Sequence, residues 1–334
     1  MAFTVVPYEG DSPFEPWPSL AQAAKLLYPK GSANLKGGAG STAETIFFYD
    51  VPPETAGAMP SNNAPLPNMV PPPVFMLIHG LGDEADSFRH LIPLLGKGRY
   101  RVLALDLPGF GRSAAPGRIN IKRHADAVLK LIDAACPGEA VFLAGNSIGA
   151  AVAEAAAFKR PNQIRGLVLI DGTIPGGPEN PGLFALVKLL FSKKGYRSFR
   201  ERPEAAWASL YPYYADLDNM PLEDRVFLRH RVMARVESKT QERSFFATQR
   251  SIVAAFTMAS SFARKIRRYN GKIFLIWGEE DRIIPLSSTN AFRAIRSDAE
   301  LAVISGAGHL PHQEKPEETA RLMAEFLDRA YEMD

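Results

Sequence analysis

The chain has 334 residues, 46% of them hydrophobic, which is enough for a sizeable core in one large α/β domain or two smaller ones. A formal net charge of +3, with no Lys/Arg-rich block interleaved with aromatics, argues against nucleic acid as a partner. The single cysteine, Cys136, excludes an internal disulfide and supplies no metal-ligand set. No run of about 18 apolar residues appears, and Met1 to Gly10 lacks a basic-then-apolar leader pattern, so a soluble, cytoplasmic protein is expected.

Residues 1–43 are rich in Pro and Gly and read as an amino-terminal extension packed on the main domain, with one helical stretch over Ser19–Leu27 that Ser19 would cap. Thr45–Val51 has strand composition. The proline-rich residues 52–73 can form neither ladder nor helix and read as a long surface loop. From Val74 the texture changes to short apolar runs at Val74–Ile78, Arg101–Leu105, Ala140–Ala144, Leu167–Ile170, Ile273–Trp277 and Leu301–Ile304. Helical patterns lie between them at about 85–96, 120–135, 148–159, 287–296 and 316–332. Such alternation predicts βαβ units in a doubly wound, mostly parallel sheet built from residues 44–171 and 269–334.

The alternation fails once, over residues 172–268, which are mostly helical in composition. An insertion after a strand end, on the side where parallel sheets bind ligands, is placed to form a lid. It carries 17 Lys/Arg against 9 Asp/Glu, a net +8 that leaves −5 for the remainder. That excess could attract an anionic substrate or a membrane surface, although a solvated helical face is the favoured reading. Within it, Gly182–Phe191 followed by Lys193 and Lys194 has the apolar-then-basic look of an interfacial helix, and packing over a pocket is again favoured.

The stretch with most chemistry is Gly145-Asn146-Ser147-Ile148-Gly149, between an apolar strand and an alanine-rich helical segment. Glycines two residues before and after a serine suit a sharp strand-to-helix turn that lifts the hydroxyl clear of the backbone. By composition alone such a pattern occurs in about one chain in ten of this length, so partners must decide its meaning. A serine hydroxyl needs a base to take its proton, and the base needs an orienting acid. His309, in the small-residue loop Ser305-Gly-Ala-Gly-His309 after a strand, is the preferred base, with His312 as competitor. His90, His124 and His230 fall in helical patterns and read as packed or surface groups. A His309/His312 metal pair lacks a third ligand, so no metal site is expected. Asp281, in Gly278-Glu279-Glu280-Asp281 after a strand, is the preferred acid; Asp171 at the end of Leu167–Ile170 is the runner-up, and Glu279 and Glu280 read as solvated.

These residues together resemble the α/β-hydrolase superfamily. Four motifs match in order over about residues 74–330: His79-Gly80-Leu81-Gly82, Asp106-Leu-Pro-Gly-Phe-Gly-Arg-Ser113, the turn around Ser147, and the Asp281 and His309 loops. The resemblance implies an α/β-hydrolase fold with a helical cap (172–268) inserted after the sixth strand. It implies a Ser147–His309–Asp281 triad, and an oxyanion hole from the backbone N–H groups of Leu81 and Ile148. His79 would then brace its loop, and Asp106 would be structural. A serine at 147 argues against the chemistries for which this superfamily carries aspartate there. The implied activity is hydrolysis of a carboxylic ester or related acyl compound through an acyl-enzyme, on a small apolar or acyl substrate and with no cofactor. The Gly-Asn-Ser-x-Gly form also resembles carbon–carbon bond hydrolases of the meta-cleavage-product type. A non-catalytic ligand-binding or scaffolding protein on the same fold is the alternative from another class. The first 70 residues match no pattern in the superfamily, and the proline-rich loop departs from its short entry hairpin.

Overall fold

The computed structural model describes residues 3–9, 12–29, 44–54, 73–97, 100–115, 117–172 and 192–331. Most of the proline-rich stretch and all of Gly182–Phe191 lie outside these. Nine strands form one sheet among the described residues: β1 (Phe3–Pro7), β2 (Ala24–Pro29), β3 (Ile46–Val51), β4 (Val74–Ile78), β5 (Arg101–Leu105), β6 (Val141–Asn146), β7 (Ile164–Ile170), β8 (Lys272–Gly278) and β9 (Glu300–Ile304). Their spatial order is β1-β2-β3-β5-β4-β6-β7-β8-β9. The pairings from β5 through β9 are parallel, and β1, β2 and β3 join antiparallel at the β5 edge.

The central strands are apolar on both faces because helices cover both. Met76 and Ile78 of β4 point into one core with Leu103, Leu143, Leu167 and Leu275. Helices α2 (Ile121–Ala135) and α3 (Ile148–Ala157) close that core. Phe75 and Leu77 point into the other, under α1 (Leu91–Gly96) and the carboxy-terminal helix Pro316–Tyr331. The alternation along β4 is the period-2 geometry of a strand, and its near-continuous hydrophobicity is the mark of a doubly covered parallel sheet. Asn120 caps α2, its side chain accepting from Arg123 N–H at 2.8 Å.

The amino terminus departs from the helix expected over Ser19–Leu27. Only Pro18–Ala23 coils, as a 3-10 turn begun at Trp17 with no side-chain cap, and the chain then extends into β2. Pairing with β1 and β3 overrides helix propensity here. Leu26 lies opposite both Val6 and Phe47, and in the extended chain Leu26 and Leu27 enter opposite cores. The described part of the extension is thereby continuous with the sheet. The strand that precedes the helical segment is the seventh of the described strands, where the sixth was expected. The helical pattern at 85–96 is likewise divided, into a 3-10 turn at Ala85–Phe88 and α1.

Between β7 and β8 lie α4 (Lys193–Ser198), α5 (Pro203–Ala208), α6 (Leu222–Glu237), α7 (Lys239–Thr257) and α8 (Ala259–Arg268). The last three helices are α9 (Ser288–Ile295), α10 (Pro311–Glu314) and α11 (Pro316–Tyr331). None of the described helices is long and apolar enough to cross a membrane.

Beneath the loop that follows β4 lies a fully buried charge cluster. Asp106 accepts the backbone N–H of Ala85 and of Arg112, both at 2.7 Å, and the Arg112 guanidinium at 2.7 and 3.0 Å. Arg112 also pairs with Asp86 at 2.7 Å and stacks 3.7 Å over the Phe47 ring. Asp106→Ala would leave buried Arg112 with Asp86 as its remaining carboxylate partner and two amide donors without an acceptor, so it should lower the unfolding free energy by about 3 kcal/mol. A urea unfolding curve with a reduced midpoint and unaltered slope is the expected result.

Candidate active site

At the carboxyl end of β6 the backbone turns sharply at Ser147, which has a φ of 55° where most non-glycine residues avoid positive values. The turn is possible because neighbouring positions lack side chains. A Cβ on Gly149 would lie 2.1 Å from the Ile78 carbonyl oxygen, one on Gly145 2.2 Å from the Gly149 backbone, and one on Gly172 2.3 Å from the Ser147 carbonyl oxygen. Ser147 N–H is held by the Ile170 carbonyl at 2.8 Å, and its side chain remains partly exposed. Ile148 opens α3, where first-turn N–H groups have no intrahelical acceptor.

His309 and Asp281 come together from the loops after β9 and β8. His309 Nδ1 lies 2.8 Å from Asp281 Oδ2, both side chains being buried. The other carboxylate oxygen, Oδ1, accepts from Ile283 N–H at 2.7 Å and Ile284 N–H at 2.9 Å. The acid therefore has one oxygen fixed by the backbone and one left for the imidazole. The His309 loop is clamped from three sides. Its own N–H reaches the Tyr213 carbonyl at 2.8 Å, Asn146 Nδ2 donates to the His309 carbonyl at 3.0 Å, and Glu314 accepts from Gly308 N–H and Ala215 N–H, each at 2.7 Å. Asn146, noticed in the sequence only as a variant of the serine turn, thus ties that turn to the histidine loop. Glu314 and Tyr213 carried no motif that would have singled them out.

Asp171, the runner-up acid, is not hydrogen-bonded to His309. It sits beside the pair, fully buried and at a φ of 46°, with Oδ1 accepting Gly278 N–H at 2.9 Å. Facing atoms of Asp171, Asp281 and His309 lie within 4.8 Å of one another, the only such His/Cys/Asp/Glu grouping among the described residues. Within that group, Asp281 and His309 are joined by their hydrogen bond. His312, the competitor base, turns away. Its Nε2 lies 2.9 Å from Ser87 Oγ, and its ring packs 4.7 Å from Phe88, so His309 and His312 share no ligand-like arrangement. Glu279 and Glu280 are exposed, as is His230, while His90 pairs with Asp224 at 2.7 Å.

The loop after β4 runs against the serine turn. A Cβ on Gly80, the residue before Leu81, would come within 3.5 Å of Ser147 Cβ. His79 braces this loop: Nε2 accepts Leu107 N–H at 2.9 Å, so Nδ1 is the nitrogen that donates, to the Gly80 carbonyl at 2.8 Å. Helix α6 grips the loop from above, a feature with no local sequence signature. Arg235 donates to Asp83 at 2.6 Å and to Glu84 at 2.9 Å, Arg231 lies 3.4 Å from Asp86, and Asp224 receives Arg89 at 2.6 Å. Burial would raise the Glu84 carboxyl, but Arg235 and Arg231 outweigh it and hold the group down at about 2. Phe245 of α7 packs against Gly82 on the same loop.

Residues 75–322 match the model of the alpha/beta hydrolase family. The chain belongs to that family. It is 29% identical over 264 residues to the 2-hydroxymuconate semialdehyde hydrolase of a Pseudomonas species, covering 76% of this chain and 87% of that protein. It is 26% identical over 267 residues to lipase 3 of a Moraxella species, covering 76% of each. Among solved structures, a bacterial membrane phospholipase A described as a virulence factor superposes with a TM-score of 0.64 at 25% identity, over 86% of this chain and 84% of that one.

Two histidines of this α/β hydrolase stay neutral for want of water. Burial is the main cause that lowers His124 and His312 to about 3, with neighbouring His79 and Arg89 respectively adding to it. A histidine depressed in the folded state leaves stability intact above its unfolded value, 6.5, and withdraws it as pH falls towards 3. Each should steepen the acid loss by up to about 1.4 kcal/mol per pH unit. The double variant His124→Gln/His312→Gln should therefore show a flatter decline of unfolding free energy from pH 6.5 downwards, measured by urea titration at stepped pH.

Proposed function

We propose that this α/β hydrolase is a serine hydrolase that cleaves a carboxylic ester or related acyl compound through an acyl-enzyme. The observation that carries the reading is the buried His309–Asp281 hydrogen bond at 2.8 Å, with the second acid oxygen locked by two backbone donors, beside a serine raised on a strained turn. A carboxylate so held fixes the imidazole tautomer with Nε2 free to accept a proton.

In the proposed reaction Ser147 Oγ attacks the substrate carbonyl carbon while its proton passes to His309 Nε2. Negative charge collects on the former carbonyl oxygen, where the N–H groups of Leu81 and Ile148 would receive it. Each such donor is worth roughly 10²–10³ in rate when preorganised in a water-poor site. Collapse expels the alcohol, which takes the proton from His309. Water, deprotonated by the same nitrogen, then releases the acid and restores Ser147. Asp281 orients the imidazole and stabilises its charged form throughout. The reaction so drawn uses protein groups and water alone. Helices α4 to α8 would act as the cap that shapes the pocket for a small apolar or acyl substrate.

Similarity to the 2-hydroxymuconate semialdehyde hydrolase, at 29% identity, favours a second reading in which the same three residues hydrolyse a carbon–carbon bond. The two readings separate on whether the purified protein bleaches a yellow dienoate faster than it cleaves p-nitrophenyl esters of graded chain length.

Ser147→Ala should abolish ester turnover and labelling by a fluorophosphonate probe while leaving the thermal midpoint in place. Undiminished turnover in that variant would overturn the proposal. Asp281→Asn should keep the fold but reduce kcat by about 10⁴, since the amide no longer selects the working tautomer.

A further inference from the structure

Asp171 has no part in the proposed reaction, yet its carboxyl faces the acid that does, within 4.8 Å. It rises from the end of β7 in the left-handed backbone region, is fully buried, and receives a single amide donor, Gly278 N–H, on Oδ1. Its other oxygen, Oδ2, has no donor partner. Asp281, by contrast, receives three donors, Ile283 N–H, Ile284 N–H and the imidazole Nδ1. A carboxylate offers about four acceptor positions, so Asp281 has one left. Facing oxygens of the two carboxyls lie within 4.8 Å of each other.

We propose that Asp171 is a neutral carboxylic acid that donates its proton to Asp281, making it a positioning residue for the Asp281–His309 pair. Two adjacent buried carboxylates cannot both keep a charge, and the pair must share one proton. The proton belongs on Asp171, because three donors stabilise a charge on Asp281 and one does so on Asp171. Burial first, and then the neighbouring Asp281, push the Asp171 carboxyl well above the usual carboxylate range. The other titratable groups facing it are His309 and Glu314, and the oxygens of Glu314 are already taken by Gly308 and Ala215 N–H. With the proton in place, Asp281 has all four positions filled and His309 sees one negative charge. A second fixed anion would hold the imidazolium so firmly that returning its proton to the leaving group would become harder.

The inference rests on the reading of His309 and Asp281 as base and orienting acid, and one arm of its test is independent of turnover. Isotope-edited infrared spectra at neutral pH should show a carboxylic-acid carbonyl band in the wild-type protein and in Ser147→Ala that is missing in Asp171→Asn. No such band in the wild type, or its survival in Asp171→Asn, would overturn the assignment whatever the activity. In the kinetic arm, Asp171→Gly removes the carboxyl and suits the positive φ. It should lower kcat roughly tenfold at unaltered KM, the scale of one charge-assisted hydrogen bond. Asp171→Asn, which keeps a donor and tolerates the same backbone, should recover most of that loss, with the acid limb of kcat/KM where the wild type has it. An acid limb displaced to lower pH in Asp171→Asn would mean that a negative charge had been removed. A loss in Asp171→Asn as large as that in Asp281→Asn would make Asp171 the orienting acid itself. Either result would sink the proposal.

Discussion

The architecture depends on how closely two strand ends and the first turn of a helix approach the turn at one serine. The Ile170 carbonyl at the end of β7 holds Ser147 N–H, the Ile78 carbonyl at the end of β4 crowds Gly149, and the first turn of α3 crowds Gly145, at distances that admit no side chain at 145, 149 or 172. A non-glycine residue held at positive φ stores of order 1–3 kcal/mol, tolerable only where the surroundings over-determine the conformation. Here they do, because the strands are locked in parallel register on both sides. The same crowding delivers Gly80 and Asp171 to the edge of the turn, so loops remote in sequence meet at the carboxyl ends of the parallel strands, where ligands enter open α/β sheets.

A second layer of order is ionic. Hydrophobic burial accounts for the sheet and for α1, α2, α3 and α11, but it does not hold the loop after β4, whose residues 84, 86 and 89 are charged and buried. That loop is suspended between Arg112 and Asp106 below and Arg231 and Arg235 above. Buried pairs of this kind add little net stability relative to apolar packing, since desolvation offsets attraction. What they confer is a single arrangement: each charge has a partner only when the loop is in place.

Legibility in the sequence follows the range of the interaction. The parallel strands could be read because burial on both faces leaves short, nearly unbroken apolar runs such as Val74–Ile78. The serine turn could be read because its steric demand is local, and the adjacency of residues 281 and 309 because each follows a strand of that sheet. Ser19–Leu27 was misleading: its composition suits a helix, and only the partners Val6 and Phe47 make it extended. The grip of Arg231 and Arg235 on Asp83, Glu84 and Asp86 spans roughly 150 residues and leaves no periodic trace. The approach of Asp171 to Asp281 depends on β7 and β8 being neighbours in the sheet, an order that no local pattern carries.

The hold of α6 on its loop bears on how this protein can change over generations. Arg89, Arg231, Arg235, Glu84, Asp86 and Asp224 form an interlocked set, so replacing any one alone removes a partner from a charge held away from water. Substitutions there are better tolerated in compensated pairs. The opposite face of α6 meets water, with Leu222 and Val226 exposed at 68% and 60%. One helix thus has a face where mutations are strongly epistatic and a face that can drift freely, and innovation in this region is channelled to the second.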